Sequence, residues 1–292
     1  MNTKIFKLEA KLPKVGKQVS IFTSVTDSEN RDRKTAESLK SLSKLFGVSG
    51  RAADDGEKMI LSEKSKSISV YQASNSFWYQ DDDFFAREDK KFSQNLPDAR
   101  TAQEKALRFL KENGLLLNSA SFHSVTHTTV VATKPNEKKG DEYNTEVHVN
   151  FRYSLDGLPV FGPGAKTRVS FVSDKINSGV YHFWREVTQE KKARDLIDPE
   201  LALEIHAKNF RFASLKEGAA KVIIKEMELG YFAMSPTELQ RALIPVYKIS
   251  GVISTEALPE YAFTHHVVAV KYNEDDIKTM GFNIGSVKSL VF

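Results

Sequence analysis

Cysteine is absent from the 292 residues, which excludes disulfides, thiolate zinc sites and thiol nucleophiles. Long apolar runs are missing too. Nothing approaches the roughly 18 residues of a helical membrane span. The stretch from Met1 to Ala10 has basic residues but no apolar core of a secretion signal. Cytoplasmic residence is one expectation; a mature exported chain with its signal removed is the other. Neither sign of charge dominates: 42 Lys and Arg against 38 Asp and Glu leave +4. The signs are also interleaved, as from Arg87 to Lys91. Nucleic-acid binders gather their cations on one face, so no nucleic-acid partner is expected.

Familiar catalytic and ligand motifs are lacking as well. There is no Gly-x-Ser-x-Gly elbow. The glycine-rich passage from Asp156 to Thr167 fails as a phosphate loop, because Ala165 separates Gly164 from Lys166 and a strand pattern follows. It reads as paired turns between strands. The seven histidines show no zinc spacing. His123 and His127 sit in a β-branched, strand-like run, which sets them roughly 13 Å apart. His265 and His266 are adjacent and so face opposite sides of a strand. Asp81 to Asp83 lack the spaced oxygens of a calcium loop. No metal and no cofactor are expected.

What is present is an ordinary globular composition, 40% hydrophobic with 19 Phe, 9 Tyr and 2 Trp, ample for packed cores. Three helical patterns stand out. Leu39, Leu42, Leu45 and Phe46 recur at helical spacing between Thr35 and Gly47. Ala102, Ala106, Phe109 and Leu110 do so between Asp98 and Gly114. Asp198-Pro199-Glu200 opens a third with an oxygen cap, a proline at the first position and an acid at the positive end. Each is followed by strand patterns. They run from Met59 to Gln80, from Ser121 to Val187, and from Ala220 to Tyr272.

This order, one helix and then antiparallel strands, occurs three times. Two short likenesses support a repeat. Leu158 to Phe161 resembles Ile244 to Tyr247, and the Ser67–Tyr71 and Phe77–Tyr79 hairpin resembles Arg168–Phe171 with Phe183–Arg185. The expected fold class is α+β, built of repeated helix-plus-antiparallel-sheet units. The expected spans are 1–95, 96–190 and 191–292.

Two groups of residues are candidates for a site. Glu146, His148 and Arg152 share a row with Asn150 on a strand, alternating with Val147, Val149 and Phe151. Such a row is either the solvent side of a sheet or the acid–base lining of a pocket. Trp78, Trp184 and Tyr181 form aromatic strand patches that serve either as core or as a platform for an apolar small molecule.

The stretch Ala99–Arg185 resembles PepSY and FTP-like modules, small α+β units of cystatin-like shape. The resemblance rests on an alanine-rich helix, a strand, and then the passage Phe151–Ala165 with Asp156, Gly157, Leu158, Pro159 and Val160 at its centre. Asp198–Tyr247 resembles a second such module and Thr35–Gln80 a shorter one. The resemblance implies a non-catalytic, extracytoplasmic role: binding, inhibiting or holding another protein, such as a protease, a sensor or an envelope component. It carries over no catalytic residue. The leading expectation is therefore a binding or regulatory protein. The alternative is a cofactor-free isomerase, cyclase or hydrolase with a pocket between sheets.

Overall fold

The computed structural model describes residues 6–26, 29–84, 95–132, 140–173, 177–210, 220–255 and 260–271. The three helices form where the apolar spacing places them. α1 (Arg31–Phe46) buries Leu39 and Leu42, and Gly47 ends it in the left-handed region at φ 62°. α2 (Ala99–Glu112) starts at Asp98, whose carboxylate accepts from the Thr101 backbone N–H at 2.9 Å and from its hydroxyl at 2.8 Å. Ala102, Ala106 and Leu110, four residues apart, are its buried face. α3 (Pro199–Asn209) has Pro199 at its start and buries Ala202 and His206.

Apart from a 3-10 turn at Asp82–Phe84, the rest of the regular structure among the described residues is strand. In chain order these are β1 (Phe6–Leu8), β2 (Gln18–Val19), β3 (Phe22–Ser24), β4 (Arg51–Asp54), β5 (Lys58–Glu63), β6 (Lys66–Tyr71), β7 (Phe77–Asp81), β8 (Ala120–Ala132) and β9 (Asp141–Leu155). They continue with β10 (Leu158–Phe161), β11 (Lys166–Phe171), β12 (Asn177–Phe183), β13 (Val187–Gln189), β14 (Arg194–Asp195), β15 (Ala220–Phe232), β16 (Ile244–Thr255) and β17 (Tyr261–Val268). Thirteen of them join in one mixed sheet. Its path is β17-β16-β15-β10-β9-β11-β12-β7-β6-β5-β4, with β1 beside β15 and β8 beside β9. β3 pairs with β13 and β2 with β14 in two small ladders.

The expected fold class, α+β with repeated helix-plus-sheet units of PepSY-like form, is overturned. Of the described residues 49% are strand, and the α-helices among them are three short ones on a single large sheet. The unit edges are not left free. β7 pairs with β12 through Trp78 and Tyr181, and β10 pairs with β15 in parallel through Val160–Tyr231 and Phe161–Phe232. The internal likenesses also fall on unequal places. Leu158–Phe161 and Ile244–Tyr247 flank β15 on opposite edges, one parallel to it and the other antiparallel.

One face of the sheet is the packed one. Val149, Val169, Val180, Tyr79 and Ile68 are successive cross-strand neighbours on β9, β11, β12, β7 and β6. α2 lies on the β9 and β11 part of this row, and α1 on the rest. α3 covers Met227, Leu229, Tyr247, Ile249 and Val267 farther along. Between them a central core gathers Val19, Ile21 and Phe22 around Tyr153, Trp184 and Tyr231. Among the described residues, no helix is long and apolar enough to cross a membrane.

Candidate functional site

Strand alternation sends the neighbours of the packed row to the other face, where the candidate residues meet. His148 lies opposite Ser170 on β11 and Thr126 on β8, and Asn150 lies opposite Arg168. Arg168 faces Tyr181, and Tyr181 faces Trp78. Glu146 and His148 are buried there, although the sequence left a solvent face as one of two readings. Hydroxyl-bearing neighbours make that burial tolerable, since each polar atom finds a partner.

The donor inventory gives this network a direction. The Glu146 carboxylate only accepts. Ser178 donates to its Oε1 at 2.9 Å, and Thr128 donates to its Oε2 at 3.3 Å. Thr128 has spent its one hydrogen, so at 2.7 Å it accepts from His148 Nε2–H. The other ring nitrogen, Nδ1, then carries the lone pair and accepts from the Ser170 hydroxyl at 2.8 Å. The Glu146 Oε2 to His148 Nε2 distance of 3.8 Å is too long for a direct hydrogen bond, so Thr128 is the link. Burial, with smaller contributions from Arg168 and His127, pushes the His148 pKa down to about 4. The imidazole is therefore neutral near pH 7 and holds Ser170 as an acceptor.

Arg168 donates through Nε to Asn150 Oδ1 at 3.0 Å and sits 5.9 Å from the centre of the Tyr181 ring. Tyr181 stacks on Trp78 at 4.9 Å, with an interplanar angle of 21°. Burial raises the Tyr181 pKa, so its hydroxyl stays protonated.

The structure thus joins Glu146 to His148, and Trp78 to Tyr181, on one face. It separates the other two candidates. Trp184 follows the end of β12 into the central core, stacked on Tyr153 at 4.2 Å, and is no platform for a ligand. Arg152 is exposed farther along β9, opposite Ser121 and outside the network. Ser170, Ser178, Thr128 and Arg168 were not singled out by sequence. The only signal for them is cross-strand register, which spacing within one segment does not contain. Among the described residues, no cluster of three or more His, Asp or Glu is arranged to hold a metal.

A second feature is geometric. β8 runs for 13 residues and pairs with β9 alone among the described strands. Its other edge has no strand partner among the described residues and so offers backbone donors and acceptors. Two of the large exposed apolar side chains, Phe122 at 41% and Val131 at 59% exposure, are on it.

No family model matches the chain. No curated protein matches it either. Among solved structures, it is similar to an uncharacterized protein from Eubacterium rectale, at 12% identity and a TM-score of 0.50, over 94% of this chain and 91% of that one. At that identity the likeness concerns the fold alone.

Proposed function

We propose that this is a non-catalytic binding protein that works through protein–protein contacts, and that β8 is where a partner's extended segment adds to the sheet. The observation that carries this reading is the free edge of β8. Strand addition supplies main-chain hydrogen bonds for affinity and alternate side chains for selectivity. The buried Glu146–His148 network supports it, because partners within the sheet occupy its polar atoms and stiffen the strands behind β8.

Capture from an extract of the source organism tests the proposal. Adjacent residues of an edge strand point their N–H groups alternately inward and outward. Of Val125→Pro and Thr126→Pro, one therefore leaves the β8–β9 ladder intact while spoiling the edge. That variant should stay folded and lose a protein partner that the wild type recovers. Recovery unaffected by both substitutions would sink the proposal.

A second reading, a cofactor-free hydrolase, draws on the Ser170 to His148 bond. It requires Ser170 to react. A fluorophosphonate probe should then label the folded wild type and spare Ser170→Ala. Absence of labelling removes this reading and leaves Ser170 as a cross-strand tie.

A further inference from the structure

The side chains along β8 indicate which strand it receives. We infer that the occupant is β8 of a second copy of this chain, added antiparallel about a two-fold axis at Thr126. This rests on β8 being the docking edge and goes further by naming the partner.

Charge is the first argument. From Ala120 to Ala132 there is no Lys, Arg, Asp or Glu. Two copies therefore meet without like charges opposite one another. The lysines and prolines that ordinarily blunt an edge strand are missing as well. The edge at one end of the main path, β4, has four residues with Arg51 and Asp54 at its ends. β17, at the other end, is eight residues long, and just beyond it Val270 is already bridged to Leu196.

Self-complementarity is the second. An axis at Thr126 sets Val125 opposite His127 and Ser124 opposite Thr128. Small hydroxyl residues meet each other. The pairing would also cover the exposed Phe122 and Val131. The third argument is regularity. The β8–β9 ladder shifts register at Phe122/Ser124 and again at Thr128/Thr129. The axis falls in the even segment between those irregularities, where an added strand finds uninterrupted pairing.

The absence of cysteine makes the test clean. Thr126→Cys introduces one thiol per chain. Two-fold pairing brings two such Cα atoms to about 4.5–5.5 Å, within reach of a disulfide. Under mild oxidation this variant should become a covalent dimer. Leu201→Cys, exposed on α3, should form no covalent dimer. The purified wild type should sediment as a dimer. Thr126→Lys, which places two cations face to face, should weaken association by about tenfold or more with an unchanged circular dichroism spectrum. A wild type that sediments as a monomer, or Leu201→Cys cross-linking as readily as Thr126→Cys, overturns the inference. A monomer that still captures another protein through β8 overturns self-pairing alone and leaves the binding reading standing. A chain that neither self-associates nor captures a partner removes both.

Discussion

Acidification from pH 6.5 toward pH 4 should unfold this protein, because burial pushes four histidines, His148, His182, His206 and His266, down to about 4. In the unfolded chain they titrate near 6.5. The folded state therefore binds fewer protons than the unfolded one across that interval. Stability is full above pH 6.5 and falls as the pH drops, until the folded pKa is reached. Each histidine that stays neutral costs about 1.4 kcal/mol per pH unit within the window. Four together rival the roughly 5–15 kcal/mol that holds a typical domain folded.

His206 has the least shelter. It is fully buried among Phe6, Phe210, Phe263 and His265, and neither ring nitrogen has a hydrogen-bond partner among the described residues. The titratable group facing it is His265, 5.2 Å away between ring centroids, whose own pKa is lowered by burial. Equilibrium urea unfolding at a series of pH values checks the expectation. His206→Phe should flatten the slope by about 1.4 kcal/mol per pH unit. A stability that does not change across the window would contradict it.

Replacing Arg185 should be the most damaging single substitution. Its side chain is buried, and Nη1 donates to Ala73 O at 3.2 Å. Nη2 donates to Met234 O at 3.3 Å and to Ser235 O at 2.6 Å. Ser74 and Ser76 reinforce the same junction by donating to Pro236 O at 2.8 Å and Trp184 O at 3.3 Å. One guanidinium thus fastens the turn between β6 and β7 to the loop after β15. Burial lowers its pKa to about 10, so it remains charged at neutral pH. Arg185→Met keeps the length but strips Ala73 O and Met234 O of their guanidinium donor and leaves Ser235 O with the Glu238 backbone N–H alone, at about 3–5 kcal/mol. Arg185→Lys keeps the charge, but its compact head cannot span all three, and it should recover less than half of that loss. A urea midpoint within about 0.5 kcal/mol of wild type for the Met variant would refute the assignment.

Local structure was legible in the sequence and pairing was not. The apolar spacing of Leu39 and Leu42, and of Ala102, Ala106 and Leu110, marks two helices because a helix face is written within a dozen residues. The clean alternation from Glu146 to Arg152 marks β9 in the same way. That β7 would pair with β12, or β10 with β15, depends on segments about a hundred and about seventy residues apart, and periodicity says nothing about them. The same limit governs the site. Glu146 and His148 were visible as a row, whereas Ser170 and Ser178 reach them only through the ladder. Trp184 and Trp78 have neighbours that read alike, so the sequence left core or platform open for both; the strand ends before Trp184 and turns it into the core. Arg185 gave no sign at all, since three backbone carbonyls leave no trace in a sequence.

The parallel seam between β10 and β15 has two rungs. Most ladders within each half of the great sheet are longer, up to the twelve rungs between β15 and β16. So slender a join contributes little cohesion of its own, and closing it encloses a loop of roughly seventy residues at an entropic cost. The halves are therefore welded less by the backbone than by what straddles the seam: the apolar residues gathered around Tyr231 and Trp184, and the Arg185 clamp. In folding, the seam belongs to the late steps. Whether the molecule melts as one body or as two is decided by a few side chains at its waist.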